Sequence, residues 1–327
     1  MVSTNNHLLK VDNLRTYFPI RKGPRRRTIG YIKAVDGVSF GIEKGQTLGL
    51  VGESGCGKTT VARSIVRLVP ATAGKVFFEQ TDILSADKVE LRRLRREIRL
   101  IFQDPYGSLN PRMTIGNIIS EPLKVQRKIT NNEPAERAAE LLSKVGLSPD
   151  YMNRYPHEFS GGQRQRIGIA RALTLKPKLV ICDEPVSALD VSIQSQILNL
   201  LKDLQEEFGL TFLFIAHDLA VVEFFCDIVA VMYMGRIVEQ ATAQELYRNP
   251  LHPYTRALIS AVPAVERSEH SRRAILGGEV PSALNPPSGC PFHPRCPQRQ
   301  SDCLEQMPAL KRGKNTDNGH FVACWKC

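Results

Sequence analysis

The stretch GESGCGKT, from Gly52 to Thr59, constrains this chain more than any other. Its G-x-x-x-x-G-K-[ST] spacing suits one local fold, a strand that turns through a phosphate-cradling loop into a helix. The flanks agree: QTLGLVG before it is a short continuous apolar run, and VARSIVRLV after it is a helical pattern that Pro70 stops. Glycines let the backbone N–H groups turn toward a polyphosphate, and the following helix adds the positive end of its dipole. On this reading Gly52, Glu53, Ser54, Gly55, Cys56, Gly57, Lys58, Thr59 and Thr60 form a nucleotide-binding loop. Lys58 reaches the β- and γ-phosphates, the Thr59 hydroxyl ligates Mg2+, and Cys56 fills a variable position.

Two further stretches complete the chemistry. KLVICDEP places Asp183 and Glu184 at the end of an apolar, strand-like run. An acidic pair there would by itself be turn solvation, but beside a phosphate loop Asp183 can hold the magnesium and Glu184 can act as general base on a water. EFSGGQRQRIGIARAL has the S-x-x-Q spacing of a capping box at Ser160 and Gln163, followed by an amphipathic helix. With Gly161 and Gly162 between them, these residues make a second helix start able to receive an anion. One nucleotide has no evident need of two such starts from one subunit, which points to a site shared between two subunits.

The rest of the chain fits an α/β core. RLIFQ, KLVICDE and LTFLFIAH are continuous apolar runs ending in polar residues, the pattern of parallel strands covered on both faces. LLKVDNL and VDGVSFGI near the start suggest a small antiparallel region. Between about 105 and 165 helical patterns dominate, notably IGNIISEPLKV and AERAAELLSKVGL, as in a helical insertion. The basic run LRRLRREIR reads as a helix with Leu91, Leu94 and Ile98 on one face, and a second basic run lies at Arg21 to Arg27. The formal charge of +11 is dispersed along the chain, so it does not by itself mark a nucleic-acid surface. The start of the sequence lacks a charged leader followed by an apolar stretch and cleavage site, and no apolar run approaches the roughly 18 to 20 residues that cross a bilayer.

In their order, the phosphate loop, Gln103 after RLIFQ, the SGGQ stretch, the Asp183–Glu184 pair, SALD ending at Asp190, and His217 in AHD closely resemble the ATP-binding subunits of ABC transporters. The resemblance covers residues from about 10 to 245. It implies a P-loop ABC ATPase domain of α/β class, with a mixed sheet, flanking helices, a small antiparallel β region and an inserted helical subdomain, over residues 1–250. It also implies head-to-tail docking of two such domains, with Ser160 and Gly162 of one touching the γ-phosphate held by the other's loop. Gln103 would sense the magnesium and the membrane partner, Asp190 would belong to the nucleotide site, and His217 would contact the γ-phosphate. An aromatic near the start stacks on adenine in this family; Phe18 is the first candidate and Tyr17 the second.

Five of the eight cysteines lie in the last 38 residues. In a reducing compartment clustered thiols suggest a metal centre rather than disulfides, and a proline-rich tail with little core needs a staple. Zinc and an iron–sulfur cluster both accept four thiolates. The tail, with NPLHPYTRAL and NPPSGCPFHPRCP, is similar to the loop-rich C-terminal module of oligopeptide/dipeptide importers, here residues 251–327. That likeness implies a structural 4Fe-4S cluster on Cys290, Cys296, Cys303 and Cys324, with Zn2+ the alternative and Cys327 either spare or competing with Cys324. The whole resemblance, nearest to the F-type subunit, implies an ATPase that drives peptide uptake from the cytoplasmic face of the inner membrane. Its partners would be a second ATPase subunit in a heterodimer, two transmembrane permease subunits and, through them, an extracytoplasmic peptide-binding protein, with no nucleic acid. A nickel or other small-solute importer, and a non-transport ABC ATPase acting on nucleic acid or ribosomes, are the alternatives.

Overall fold

A computed structural model of the chain describes residues 7–23, 27–125, 133–261, 281–314, 316 and 319–327. Pro24–Arg26 of the first basic run and the first six residues lie outside these. The chain forms two compact units, one built on residues 86–214 with 43–46, the other on 7–42, 47–85 and 215–327.

The first unit opens with α2 (Lys88–Glu97), whose Asp87 side chain caps the N–H groups of Val89 and Glu90. Only Leu94 of that helix is fully buried, and Ile98, expected on its apolar face, instead begins strand β6 (Ile98–Ile101). A residue with a β-branched side chain at a helix end is readily recruited into a buried strand. β6 runs parallel to β7 (Leu179–Asp183), every residue of which is buried. Next to β7 comes β8 (Thr211–Ala216), equally buried, and the Thr211 N–H donates to the Lys178 carbonyl at its start. Between β6 and β7 lie α3 (Pro105–Ser108), α4 (Ile115–Val125), α5 (Glu133–Lys144) and α6 (Gly161–Leu173). They pack through Ile118, Ile119, Leu141 and Ile167, all essentially inaccessible. α7 (Val191–Phe208) starts on the Asp190 cap and ends at Gly209, whose φ of 62° closes the helix in the left-handed conformation.

In the second unit the two N-terminal strands are far longer than the sequence motifs suggest: β1 (His7–Lys22) and β2 (Arg27–Glu43) continue to either side of the basic run. With β4 (Ala73–Phe78) and β5 (Thr81–Asp82) they form a four-stranded sheet in the order β2-β1-β4-β5. β1 pairs antiparallel with β4, Leu9 opposite Phe78 and Val11 opposite Val76. The loop-bearing strand β3 (Thr47–Val51) pairs in parallel with β9 (Ile228–Tyr233), both nearly continuous apolar runs, as buried parallel strands require. β10 (Arg236–Thr242) returns antiparallel to β9.

The tail joins this unit rather than standing off from it. Its short strands β11 (Lys311–Arg312) and β12 (Phe321–Val322) extend the sheet, with β12 against β10. The junction is pinned by Glu239 on β10, whose carboxylate accepts the N–H groups of Leu251 (2.7 Å) and His252 (2.9 Å) and pairs with His320 Nε2 (2.8 Å). A carboxylate with no solvent access needs that many donors to repay its desolvation. Helices α1 (Lys58–Ile65), α8 (Leu219–Phe225), α9 (Ala243–Arg248), α10 (Pro253–Ser260) and α11 (Ser301–Glu305) cover the unit. Among the described residues no helix is long and apolar enough to cross a membrane.

Candidate active site

The phosphate loop has the conformation its glycines allow. Gly52 and Gly57 have φ values of 152° and 109°, and a Cβ at either would lie 2.1 Å from a backbone carbonyl, that of Met232 or Ala34. No other residue fits such an approach. Lys58 is 4% exposed and folds back along the loop, its Nζ donating to the carbonyls of Gly52 (2.7 Å) and Glu53 (3.1 Å). Thr59 and Thr60 follow in the first turn of α1. Burial pushes the Cys56 thiol up, against the pull of Lys58, which suits a packed position and not a reactive one.

Beside the loop a pocket of about 240 Å³ is lined by Ile32, Lys33 and Ala34 of β2 and by Ser54, Gly55 and Cys56. Tyr17 and Phe18 do not line it. Tyr17 donates its hydroxyl to Asp36 Oδ1 at 2.5 Å, and Asp36 also receives Arg236 Nη2 at 2.6 Å. Burial raises the Asp36 carboxyl, but the Tyr17 hydroxyl and Arg236 outweigh it and hold the group below the usual carboxylate range. Phe18 is 38% exposed. His217 is exposed at the end of β8, just before Asp218 caps α8 through the Ala220 N–H.

The first unit carries the acidic pair and the second helix start. Asp183, the last residue of β7, is 1% exposed. Glu184 follows with φ 49°, a left-handed conformation uncommon for a residue with a side chain. Its carboxylate receives Gln103 Nε2 at 2.9 Å, and its carbonyl receives the Ser187 hydroxyl at 3.1 Å. The structure thus brings together two residues separated by 81 positions that the sequence connected only through the family resemblance.

Ser160 caps α6 as the spacing predicts. Its Oγ accepts the Gln163 N–H (3.3 Å) while Gln163 Oε1 accepts the Ser160 N–H (3.0 Å). Ser160 and Gly161 are exposed, whereas Gly162 is buried, where a Cβ would lie 2.6 Å from Ile193 Cγ2. Asp190 accepts the Ile193 N–H at 3.0 Å and the Ser192 hydroxyl at 2.7 Å, so it is the cap of α7 whatever else it touches.

Four thiols of the tail, those of Cys290, Cys296, Cys303 and Cys324, line one small cavity with His252 and Phe292. Burial pushes Cys290 up to about 11, its three cysteine neighbours adding to the effect. Cys327 is not on that wall; its thiol donates to the Leu251 carbonyl at 3.5 Å. Among the described residues no three His, Cys, Asp or Glu side chains are gathered closely enough to hold one metal ion.

One element of the site escaped the sequence. Arg295, between two of the tail cysteines, makes a bidentate ion pair with Glu53 inside the phosphate loop, at 2.7 and 3.0 Å. The Glu53 N–H donates to the Tyr254 hydroxyl at 2.8 Å. HPYTRAL and HPRCP hold these residues in the sequence, but nothing local connects them to position 53.

A glycine-bound phosphate loop, a strand ending in Asp-Glu and a capped S-G-G-Q helix are the parts of an ATP-binding cassette ATPase. Residues 35–187 match the family described as ABC transporter, and residues 238–303 match the oligopeptide/dipeptide transporter C-terminal region. The chain is 53% identical to the oligopeptide transport ATP-binding protein AppF of Bacillus subtilis, over 97% of its own length and 96% of that protein's. To OppF of Salmonella typhimurium it is 52% identical over 98% and 96%. Among solved structures it is similar to CbiO1 from Clostridium perfringens, part of the ABC transporter complex CbiONQ (TM-score 0.64, 28% identity, 75% of this chain and 92% of that one). A dimeric post-hydrolysis state of an ATP-binding cassette bound to ADP and Pi gives a TM-score of 0.63 at 30% identity, covering 72% and 98%. The chain belongs to the ATP-binding subunits of the oligopeptide/dipeptide family of ABC transporters.

Proposed function

We propose that this ATPase energises uptake of peptides across the cytoplasmic membrane, working at its inner face as one half of a head-to-tail pair. The observation that carries the catalytic reading is Glu184, locked in a left-handed backbone conformation beside buried Asp183 and hydrogen-bonded to the Gln103 amide. Asn13, Arg67, Glu79, Lys176 and Met234 share the positive φ, so it is the placement beside a buried carboxylate at a strand end that supports the functional reading. On the family resemblance Lys58 would receive the β- and γ-phosphates, and Thr59 and Asp183 would hold a Mg2+ that neutralises phosphate charge, with Gln103 sensing it. Glu184 takes the proton of the attacking water, and His217 steadies the γ-phosphate. Ser160, Gly161, Gly162 and Gln163 face the γ-phosphate held by the other subunit, Asp190 belongs to the same nucleotide site, and Phe18 or Tyr17 stacks on adenine.

The other half of the pair is a second, different ATPase subunit, and the power is delivered to two permease subunits fed by an extracytoplasmic peptide-binding protein. A groove in the first unit supports a permease contact: Arg92, Arg95, Arg99 and Arg171 ring it, with Phe102 and the 74% exposed Val125 as apolar footing. Cys290, Cys296, Cys303 and Cys324 would hold a 4Fe-4S centre that staples the tail, with Zn2+ the alternative. Their shared cavity supports this. Both a 4Fe-4S cluster and Zn2+ accept four thiolates, and assay of the bound metal decides between them.

The transport reading is tested by reconstituting the chain with its permease and partner subunits in proteoliposomes with the binding protein. Oligopeptide or dipeptide should stimulate ATP hydrolysis several-fold. Stimulation by nickel but not by peptide would replace peptide with metal as the cargo.

A further inference from the structure

The conformation of the phosphate loop depends on its glycines. Gly52, Gly55 and Gly57 all have positive φ, and around Gly55 a Cβ would meet nothing within 4 Å. Such a backbone loses much entropy when it closes on a ligand, so whatever holds it beforehand contributes directly to affinity.

Glu53 is where it is held. Its carbonyl accepts Lys58 Nζ (3.1 Å) and the Cys56 N–H (3.2 Å), which ties it to the phosphate-gripping lysine and to the crown of the loop. Its N–H is fixed by the Tyr254 hydroxyl, and its carboxylate by both guanidinium nitrogens of Arg295. Both holders are themselves packed against neighbours. The Arg295 side chain is 5% exposed, and the Tyr254 ring packs on Tyr233 (centroids 4.7 Å apart) and Phe292 (5.5 Å). Tyr233 in turn meets Phe292 edge-on at 5.3 Å. Planar, two-pronged guanidinium–carboxylate pairing fixes orientation as well as distance, which a lysine's point charge cannot do.

We propose that Arg295 is a positioning residue for ATP binding: from the cysteine-rich tail it clamps Glu53 and presets the phosphate loop for the nucleotide. Arg295 does not touch the phosphates; it acts through Glu53, and Tyr254 provides the second hold. The tail therefore contributes to nucleotide affinity whether or not its thiols hold a cluster.

The test uses the full-length chain, with the dissociation constant of a fluorescent ATP analogue and steady-state ATPase kinetics. Arg295→Ala should raise both that constant and KM for ATP about tenfold, with kcat at saturation changed by less than about twofold. Arg295→Lys should recover part of the loss. Glu53→Gln should weaken binding to a similar degree, and the double substitution Arg295→Ala with Glu53→Gln should be no worse than either single one. Unchanged affinity in folded Arg295→Ala, or losses that simply add in the double variant, would overturn the proposal. If Arg295→Ala fails to fold, Glu53→Gln decides, because it leaves the tail intact: weaker binding supports the clamp, and wild-type binding refutes it.

Discussion

Residue by residue, the chemistry rests on side chains whose freedom has been removed in advance. Glu184 is the clearest case, since a left-handed backbone and the Gln103 amide fix where its carboxylate points. A general base acts only within hydrogen-bond reach of its proton, so orientation is part of its strength. Glu184→Gln preserves shape and hydrogen bonding but cannot accept a proton. We expect kcat for ATP hydrolysis to fall by about 10²- to 10³-fold while the ATP dissociation constant stays within about twofold; wild-type turnover would end the assignment. At this scale the sequence was highly readable where spacing is local. Eight consecutive residues define the phosphate loop, and S-x-x-Q foretold both hydrogen bonds of the α6 capping box. Contacts across long separations were not readable. Glu53 and Arg295 are 242 positions apart, and an acidic residue at a variable motif position carries no signal of its partner.

Among elements, continuous apolar runs became buried strands, because a strand covered on both faces must be apolar at every position: β3, β7 and β8 are buried throughout. Two elements departed from their local pattern. Ile98 left the expected helix for β6, and β1 and β2 extend through polar, basic segments whose exposed faces leave no hydrophobic alternation to detect. The tail shows the opposite balance, with little regular structure and much side-chain fixation: four thiols round one cavity, and Leu251, His252 and His320 all bonded to Glu239 of β10. Anaerobically purified chain should contain iron and acid-labile sulfide. Cys324→Ser should lose the centre, and Cys327→Ser, whose thiol lies off the cavity wall, should keep it. Stoichiometric zinc in place of iron would reverse the choice of metal.

For the whole molecule, the two helix starts bear on the proposed pairing. The phosphate loop lies in one unit and the capped, exposed Ser160 in the other, and under the proposed pairing the first would serve the chain's own nucleotide and the second its partner's. Nucleotide should therefore act as adhesive. With Glu184→Gln to prevent turnover, ATP should drive association of the chain with its partner ATPase subunit, read by analytical ultracentrifugation, and Ser160→Ala should weaken it. Equal sedimentation with and without ATP would rule out a shared site. The Arg295–Glu53 pair carries a practical corollary for engineering. A hybrid that borrows its carboxy-terminal third from a sister subunit would keep its grip on fuel only if the graft brought a guanidinium to the place of Arg295, opposite the Glu53 that the recipient retains.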